Sequence, residues 1–271
     1  MNILNKILAF KEKEVAERKS LFPEKLLEQS TYFACQPVSM VKYLNRTDKA
    51  GIIAEIKRKS PSKGMINPYV SIERTSIGYM QAGASALSIL TDKEFFGGKN
   101  DDLTVARRYN FCPIIRKDFI IDEYQILEAK SIGADTILLI AAALAPMRLK
   151  QLAQFARSLR LEVLLEVHNE KELTDNLEAG ADLIGVNNRN LQTFEVSIEN
   201  SIKLGALIPS EFVKVSESGI NDPRTIIELK SYGYKGFLIG EHFMQNSRPE
   251  KACASFIDAL EKLQRPVGAK I

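Results

Sequence analysis

A spacing constrains this chain more than any other feature. Eight short apolar runs recur along it, at 51–56, 85–90, 112–115, 136–140, 161–165, 183–186, 212–215 and 236–239. Their starts lie about 20 to 35 residues apart, close to the length of one βα unit. Near-continuous apolar strands indicate a parallel sheet covered by helices. Eight such units within 271 residues predict a closed α/β fold, a (β/α)8 TIM barrel, rather than an open sheet. No linker or low-complexity tract divides the chain, so it reads as a single domain. Residues 1–48 form an N-terminal helical extension and 49–265 the barrel.

The segments between the runs read as helices. Pro223 follows Asn221-Asp222, as proline does at a first helical position. The stretch holding Gln125, Leu127, Glu128 and Lys130 ends at Gly133, a good helix stop. Ile132-Gly133-Ala134-Asp135 and Ala179-Gly180-Ala181-Asp182 repeat one construction, a glycine exit from a helix and entry into the next strand. Gly83-Ala84 before the second run looks related. Helices are predicted over 3–20 and 23–29. They either cover the bottom or side of the barrel or reach its mouth.

Composition narrows the function classes. The 26% charged fraction and net charge of +3, from 37 basic and 34 acidic residues, demand neither nucleic acid nor a membrane surface. Cys35, Cys112 and Cys253 are scattered without a CxxC pair, which fits a reducing compartment. With only His168 and His242 beside them, no metal site is expected. Charges interrupt the N-terminal apolar residues too early for a signal peptide. The most apolar run, 136–147, falls short of the roughly 20 residues that cross a bilayer. A cytoplasmic protein is expected, with a monomer as the default.

Barrels of this kind carry their chemistry at the C-terminal ends of the strands. The first run ends in Glu55-Ile56-Lys57, and side chains alternate along a strand. With Ile56 toward the helices, Glu55 and Lys57 point inward, where such a pair is costly unless paired or binding something. In the third run Lys117 has the opposite parity to Arg116 and Asp118, so it points inward while they pair outside. Glu166 ends the fifth run, Asn187-Asn188-Arg189 the sixth and Ser216-Glu217-Ser218-Gly219 the seventh. Glu162 shares the parity of Glu166 but lies deeper, with no catalytic explanation. Three glutamates and two lysines thus converge on one mouth, where neighbouring charges tune one another for acid–base work. Ser218-Gly219 and Gly240-Glu241 lie where such barrels often bind phosphate through backbone N–H groups.

Taken together these pieces resemble indole-3-glycerol phosphate synthase, an enzyme of tryptophan biosynthesis. The most specific part is Ile53-Ala54-Glu55-Ile56-Lys57-Arg58-Lys59-Ser60-Pro61-Ser62. Leu90-Thr91-Asp92 with Phe95-Phe96-Gly97-Gly98, Arg116-Lys117-Asp118-Phe119, Leu165-Glu166-Val167, Asn187-Asn188-Arg189-Asn190-Leu191 and Ser216-Glu217-Ser218-Gly219-Ile220 follow in the family's order. The resemblance covers nearly the whole chain. It implies a phosphorylated substrate, 1-(2-carboxyphenylamino)-1-deoxyribulose 5-phosphate, ring closure with loss of CO2 and water, and no cofactor.

The same resemblance implies roles. Lys117 is the general acid, Lys57 the partner of the substrate carboxylate, and Glu166 the base. Glu55 and Glu217 position lysines and substrate hydroxyls, and Asn187 and Arg189 bind hydroxyls or carboxylate near the ring. Ser60, Ser218, Gly219 and Gly240 take the phosphate. Phe95 or Phe119 packs on the anthranilate ring or anchors its loop. One departure is Glu241, where some relatives have serine: if a backbone N–H makes the phosphate contact it is harmless provided its carboxylate turns away, and if a hydroxyl is needed the contact is weaker. The alternatives are phosphoribosylanthranilate isomerase or the tryptophan synthase α subunit, an aldolase with Lys117 as Schiff-base nucleophile, and a non-catalytic binding barrel. The first two lack the Glu-x-Lys signature and the long N-terminal extension.

Overall fold

Alternation along the strands sorts the apolar residues into two cores. In a computed structural model describing residues 3–190 and 193–264, the eight strands are β1 (Ile52–Ile56), β2 (Ala86–Leu90), β3 (Ile114–Lys117), β4 (Thr136–Ile140), β5 (Glu162–Val167), β6 (Leu183–Asn187), β7 (Val213–Glu217) and β8 (Tyr234–Ile239). They pair in parallel in chain order, and β8 closes on β1. Ile52, Ala54 and Ile56 pack outward with the surrounding helices. Ile53, Ile115, Leu164, Leu183, Val215 and Leu238 fill the barrel interior.

Every expected strand is present. Several run further toward their polar C-terminal ends than the apolar runs do, because ladder pairing continues through residues such as Asn187 and Glu217. The expected barrel end at 265 and the motif residue Leu191 lie outside the described residues.

The bottom of the barrel explains two features of the sequence. The short helix Met40–Leu44 sends Met40 and Leu44 into the interior core and plugs it. Glu162 caps that helix: its carboxylate accepts from Ser39 Oγ (2.5 Å) and from the N–H groups of Met40 (2.7 Å) and Val41 (3.1 Å). The role of Glu162 is therefore structural. The repeated Gly-Ala pieces also tie strand ends together. Asp135 accepts from Ile114 N (2.7 Å), Asp182 from Val163 N (2.9 Å) and Ser85 Oγ from Gly51 N (3.0 Å). Each bonds the start of a preceding strand, satisfying an N–H that would otherwise be orphaned.

The N-terminal helix Ile3–Leu21 takes the other end. Its Ile3, Leu4 and Ile7 line the cavity at the C-terminal strand ends. Lys11 is 1% exposed and pairs with Asp92 (2.9 Å), Asp118 (2.9 Å) and Glu14 (2.8 Å). Burial opposes the charge on Lys11, but Asp118 and Asp92 outweigh it and raise its pKa. The extension thus does both things the sequence left open: one segment plugs the bottom, another borders the mouth.

Candidate active site

The strand parity that fills the interior with aliphatic residues places charge at its upper end. Above Ile53 stand Glu55 and Lys57; above Ile115, Lys117; above Leu164, Glu166; above Leu183, Asn187; above Val215, Glu217. All six charged or polar groups line one cavity of about 700 Å³. Ser60, Arg189, Phe119, Ser218, Gly219 and Gly240 line it as well.

Lys117 is the hub. Its Nζ donates to Glu166 Oε2 (2.9 Å) and to Glu217 Oε2. Glu166 Oε1 accepts from Asn187 Nδ2 (3.1 Å), whose Oδ1 accepts the Arg189 N–H (3.0 Å). Lys57 Nζ lies 2.8 Å from Glu55 Oε1, and Ser88 Oγ donates to Glu55 Oε2 (3.4 Å). Two glycines make room for this. A Cβ on Gly185 would stand 2.4 Å from Glu217 Oε1, and one on Gly240 would stand 2.3 Å from Glu55 Oε1. Arg116 and Asp118 pair on the outer side as their parity predicts, Arg116 reaching Glu128 (2.5 Å) and Asp118 (3.2 Å).

Glu55, Glu166 and Glu217 are 3%, 5% and 2% exposed, so their mutual electrostatics are strong. Burial would lower the Lys117 ammonium, but Glu166, Glu217 and Glu55 outweigh it and raise its pKa. Burial would raise Glu166, yet Lys117 and His168 hold it well below the usual carboxylate range. For Glu217 burial prevails, helped by the charge on Glu166, and its pKa rises despite Lys117. The two carboxyls on one lysine are therefore pushed apart, the pattern that separates an ionised group from one that keeps its proton.

Two adjacent rim residues have an unusual backbone. Ser218 (φ 70°) and Gly219 (φ 77°) adopt successive left-handed conformations after β7. That is a costly choice for serine and typical of a built loop. The loop after β1 folds into a hairpin, Lys59–Ser60 against Gly64–Met65. Its base is fastened by Arg58, which donates to Asp102 Oδ1 (3.0 Å) and Gly97 O (3.1 Å). Glu241 lies 3.2 Å from Arg189 and 3.4 Å from Lys63, between two cations of this rim. The carboxylate does not turn away from them.

One expected site residue is elsewhere. Phe95 is absent from the cavity wall: its ring meets Phe10 of the N-terminal helix edge-on (5.8 Å, 88°), and its N–H donates to Asp92 (2.7 Å). It anchors a loop. Its neighbour Phe96 lines the cavity, with its ring 5.9 Å from that of Phe119. Loops have no side-chain period, so no sequence signal separates Phe95 from Phe96. Lys63 and the apolar N-terminal residues Ile3, Leu4 and Ile7 also line the site, with no motif or strand parity to mark them.

The sequence profile of indole-3-glycerol phosphate synthase matches residues 4–256. The chain is 46% identical over 260 residues to the indole-3-glycerol phosphate synthase of Bacteroides thetaiotaomicron, covering 96% of this chain and 99% of that one. It is 44% identical over 243 residues to the enzyme of the same name from Campylobacter fetus, covering 90% and 94%. Among solved structures, a chain of the tryptophan synthase a2b2 complex from Pyrococcus furiosus superimposes with a TM-score of 0.60 at 12% identity, covering 80% of this chain and 100% of that one. That likeness concerns the barrel alone.

Proposed function

Because the chain belongs to the indole-3-glycerol phosphate synthase family, we propose that its strand-end cluster performs that reaction with the division of labour given below. The reaction closes the indole ring of 1-(2-carboxyphenylamino)-1-deoxy-D-ribulose 5-phosphate with loss of CO2 and water, yielding indole-3-glycerol phosphate in tryptophan biosynthesis.

The single observation that carries the assignment is Lys117, held between Glu166 and Glu217 on the floor of a cavity that also contains Lys57. The ring carbon that bears the carboxylate attacks the C2 carbonyl carbon. As the new bond forms, the carbonyl π pair moves onto oxygen, and the Lys117 ammonium protonates it. Lys57 holds the substrate carboxylate until that carbon releases CO2, and the bonding pair returns to the ring system. The C2 hydroxyl then takes a proton from Lys117, recharged by protonated Glu217 beside it, and leaves as water, while Glu166 takes a proton from C1 and that C–H pair forms the C1–C2 double bond. Glu55 and Glu217 orient the lysines and substrate hydroxyls, while Asn187 and Arg189 bind beside the ring. Ser60, Ser218, Gly219 and Gly240 hold the phosphate. Phe96 and Phe119 flank the anthranilate ring.

No organic cofactor enters this scheme. A cytoplasmic, monomeric chain completes the reading. The cytoplasmic placing is supported by the three free cysteines. Complementation of a tryptophan auxotroph that lacks the synthase tests the reading as a whole. Growth without tryptophan is expected; its failure, with the protein expressed and folded, counts against it.

Two variants probe the assignment in detail. Glu166→Gln should lower kcat by about 10²-fold or more, the usual scale for an acid–base group. An unchanged rate would move the base to Glu55. Glu241→Gln removes a negative charge from between Arg189 and Lys63, so KM for the phosphorylated substrate should fall by up to about fivefold with kcat unchanged, the scale of a partly exposed ion pair. Steady-state rates at fixed ionic strength decide it. An unchanged KM means that the Glu241 carboxylate leaves the rim when substrate binds.

A further inference from the structure

Two residues beyond Glu166 the chain places His168, whose ring is 10% exposed and sits between two carboxylates. Its Nε2 lies 3.3 Å from Glu166 Oε1, off the line of a hydrogen bond. Its Nδ1 lies 3.1 Å from Glu172 Oε2. Glu172 is itself fixed: it accepts the His168 N–H (2.8 Å) and the Asn169 side-chain amide (2.8 Å). The His168 carbonyl accepts from Asn200 (3.1 Å). The imidazole therefore joins the active-site carboxylate to a second cavity of about 560 Å³, lined by His168, Glu172, Arg189 and Glu195. On the near side the facing charges are Glu166 and, behind it, Lys117. On the far side they are Glu172, with Arg189 and Glu195 on the same wall.

The two carboxyls on Lys117 are thus unequal. Glu166 has Lys117, Asn187 and His168 around it. Glu217 has Lys117, while its Oε1 is buried, without a hydrogen-bond partner, against Gly185. We propose that His168 is a positioning residue, a second cation clamped by Glu172 that fixes Glu166 as the carboxylate acceptor of the pair and leaves the proton to Glu217. Burial resists charge on His168, but attraction to the Glu166 and Glu172 carboxylates, with the Nδ1 contact to Glu172, raises its pKa to about 10, so it is an imidazolium at neutral pH. Loss of that charge relaxes the main difference between the two glutamates.

The inference builds on Glu166 as the base, and its test separates the two ideas. The acidic limb of kcat/KM against pH is measured for wild type, His168→Gln and Glu172→Gln. In parallel, Glu166 is titrated by carbon NMR of labelled glutamate side chains, assigned by its loss in Glu166→Gln. In His168→Gln both the limb and the Glu166 titration should move up by about one pH unit or more, the scale of removing a close opposite charge. Glu172→Gln, outside the reaction cavity, should move them the same way by less. If the NMR titration moves and the kinetic limb does not, His168 does set Glu166 but Glu166 is not the base. If the Glu166 titration is unmoved in both variants, even with a lowered melting temperature, His168 is a packing residue and the inference is wrong.

Discussion

Lys117→Ala should abolish turnover while leaving substrate binding largely intact. The lysine is proposed to donate one proton, to the oxygen formed when C2 is attacked, and general acids contribute about 10² to 10⁴ in rate. The loss should exceed the lower figure, because Lys117 also separates Glu166 and Glu217. Without it two buried carboxyls face each other, and they cannot both stay ionised cheaply. Binding should survive, because Lys57 and the residues proposed to hold the phosphate belong to other strands. Single-turnover rates and the substrate Kd, read by fluorescence quenching, separate these effects. A near-normal kcat would refute the acid role. Borohydride trapping of substrate on Lys117 in the wild type would replace it with Schiff-base chemistry.

The second large effect is on stability and lies outside the reacting groups. Lys11→Met should destabilise the fold by about 3 to 5 kcal/mol, as expected when one partner of a buried ion cluster is removed. The methionine fills similar volume, but Asp92 and Asp118 are left buried without their shared cation. Burial pushes Asp118 up, yet Lys11 and Arg116 hold it well below its ordinary value of 3.8. Its depressed pKa means that its stabilising contribution is complete above that ordinary value and is lost as pH falls below it. Urea unfolding at neutral pH therefore reads the whole effect. A change below about 1 kcal/mol would show that the cluster behaves as a surface pair. Partial recovery in Lys11→Met with Asp92→Asn would place the cost on the stranded carboxylates.

The contrast between these two lysines shows what a sequence can disclose. Lys117 was legible because strand parity and strand order are local patterns: it breaks parity with Arg116 and Asp118 and ends an apolar run. The same patterns place Glu55, Lys57, Glu166 and Glu217 at the mouth of the barrel. Lys11 was not legible. It is one charge among many on a helix, and its partners Asp92 and Asp118 lie more than 80 residues away. Glu162 had the right parity for catalysis, but its partners are the backbone of a short helix that no apolar period announced. Phe95 and Phe96 could not be told apart, since their loop has no period and Phe10, which captures Phe95, comes from the distant N-terminal helix. The clamp on His168 depends on Glu172, four residues on and across a strand-to-helix turn, where neither period applies.

If this strand-end cluster closes the indole ring, incubation of the purified chain with 1-(2-carboxyphenylamino)-1-deoxyribulose 5-phosphate will show it. Indole fluorescence should rise with saturable kinetics, with one CO2 released per product, and the rise should vanish in Lys117→Ala. Binding of the substrate by folded wild-type protein, with neither indole fluorescence nor CO2 appearing, would contradict the account.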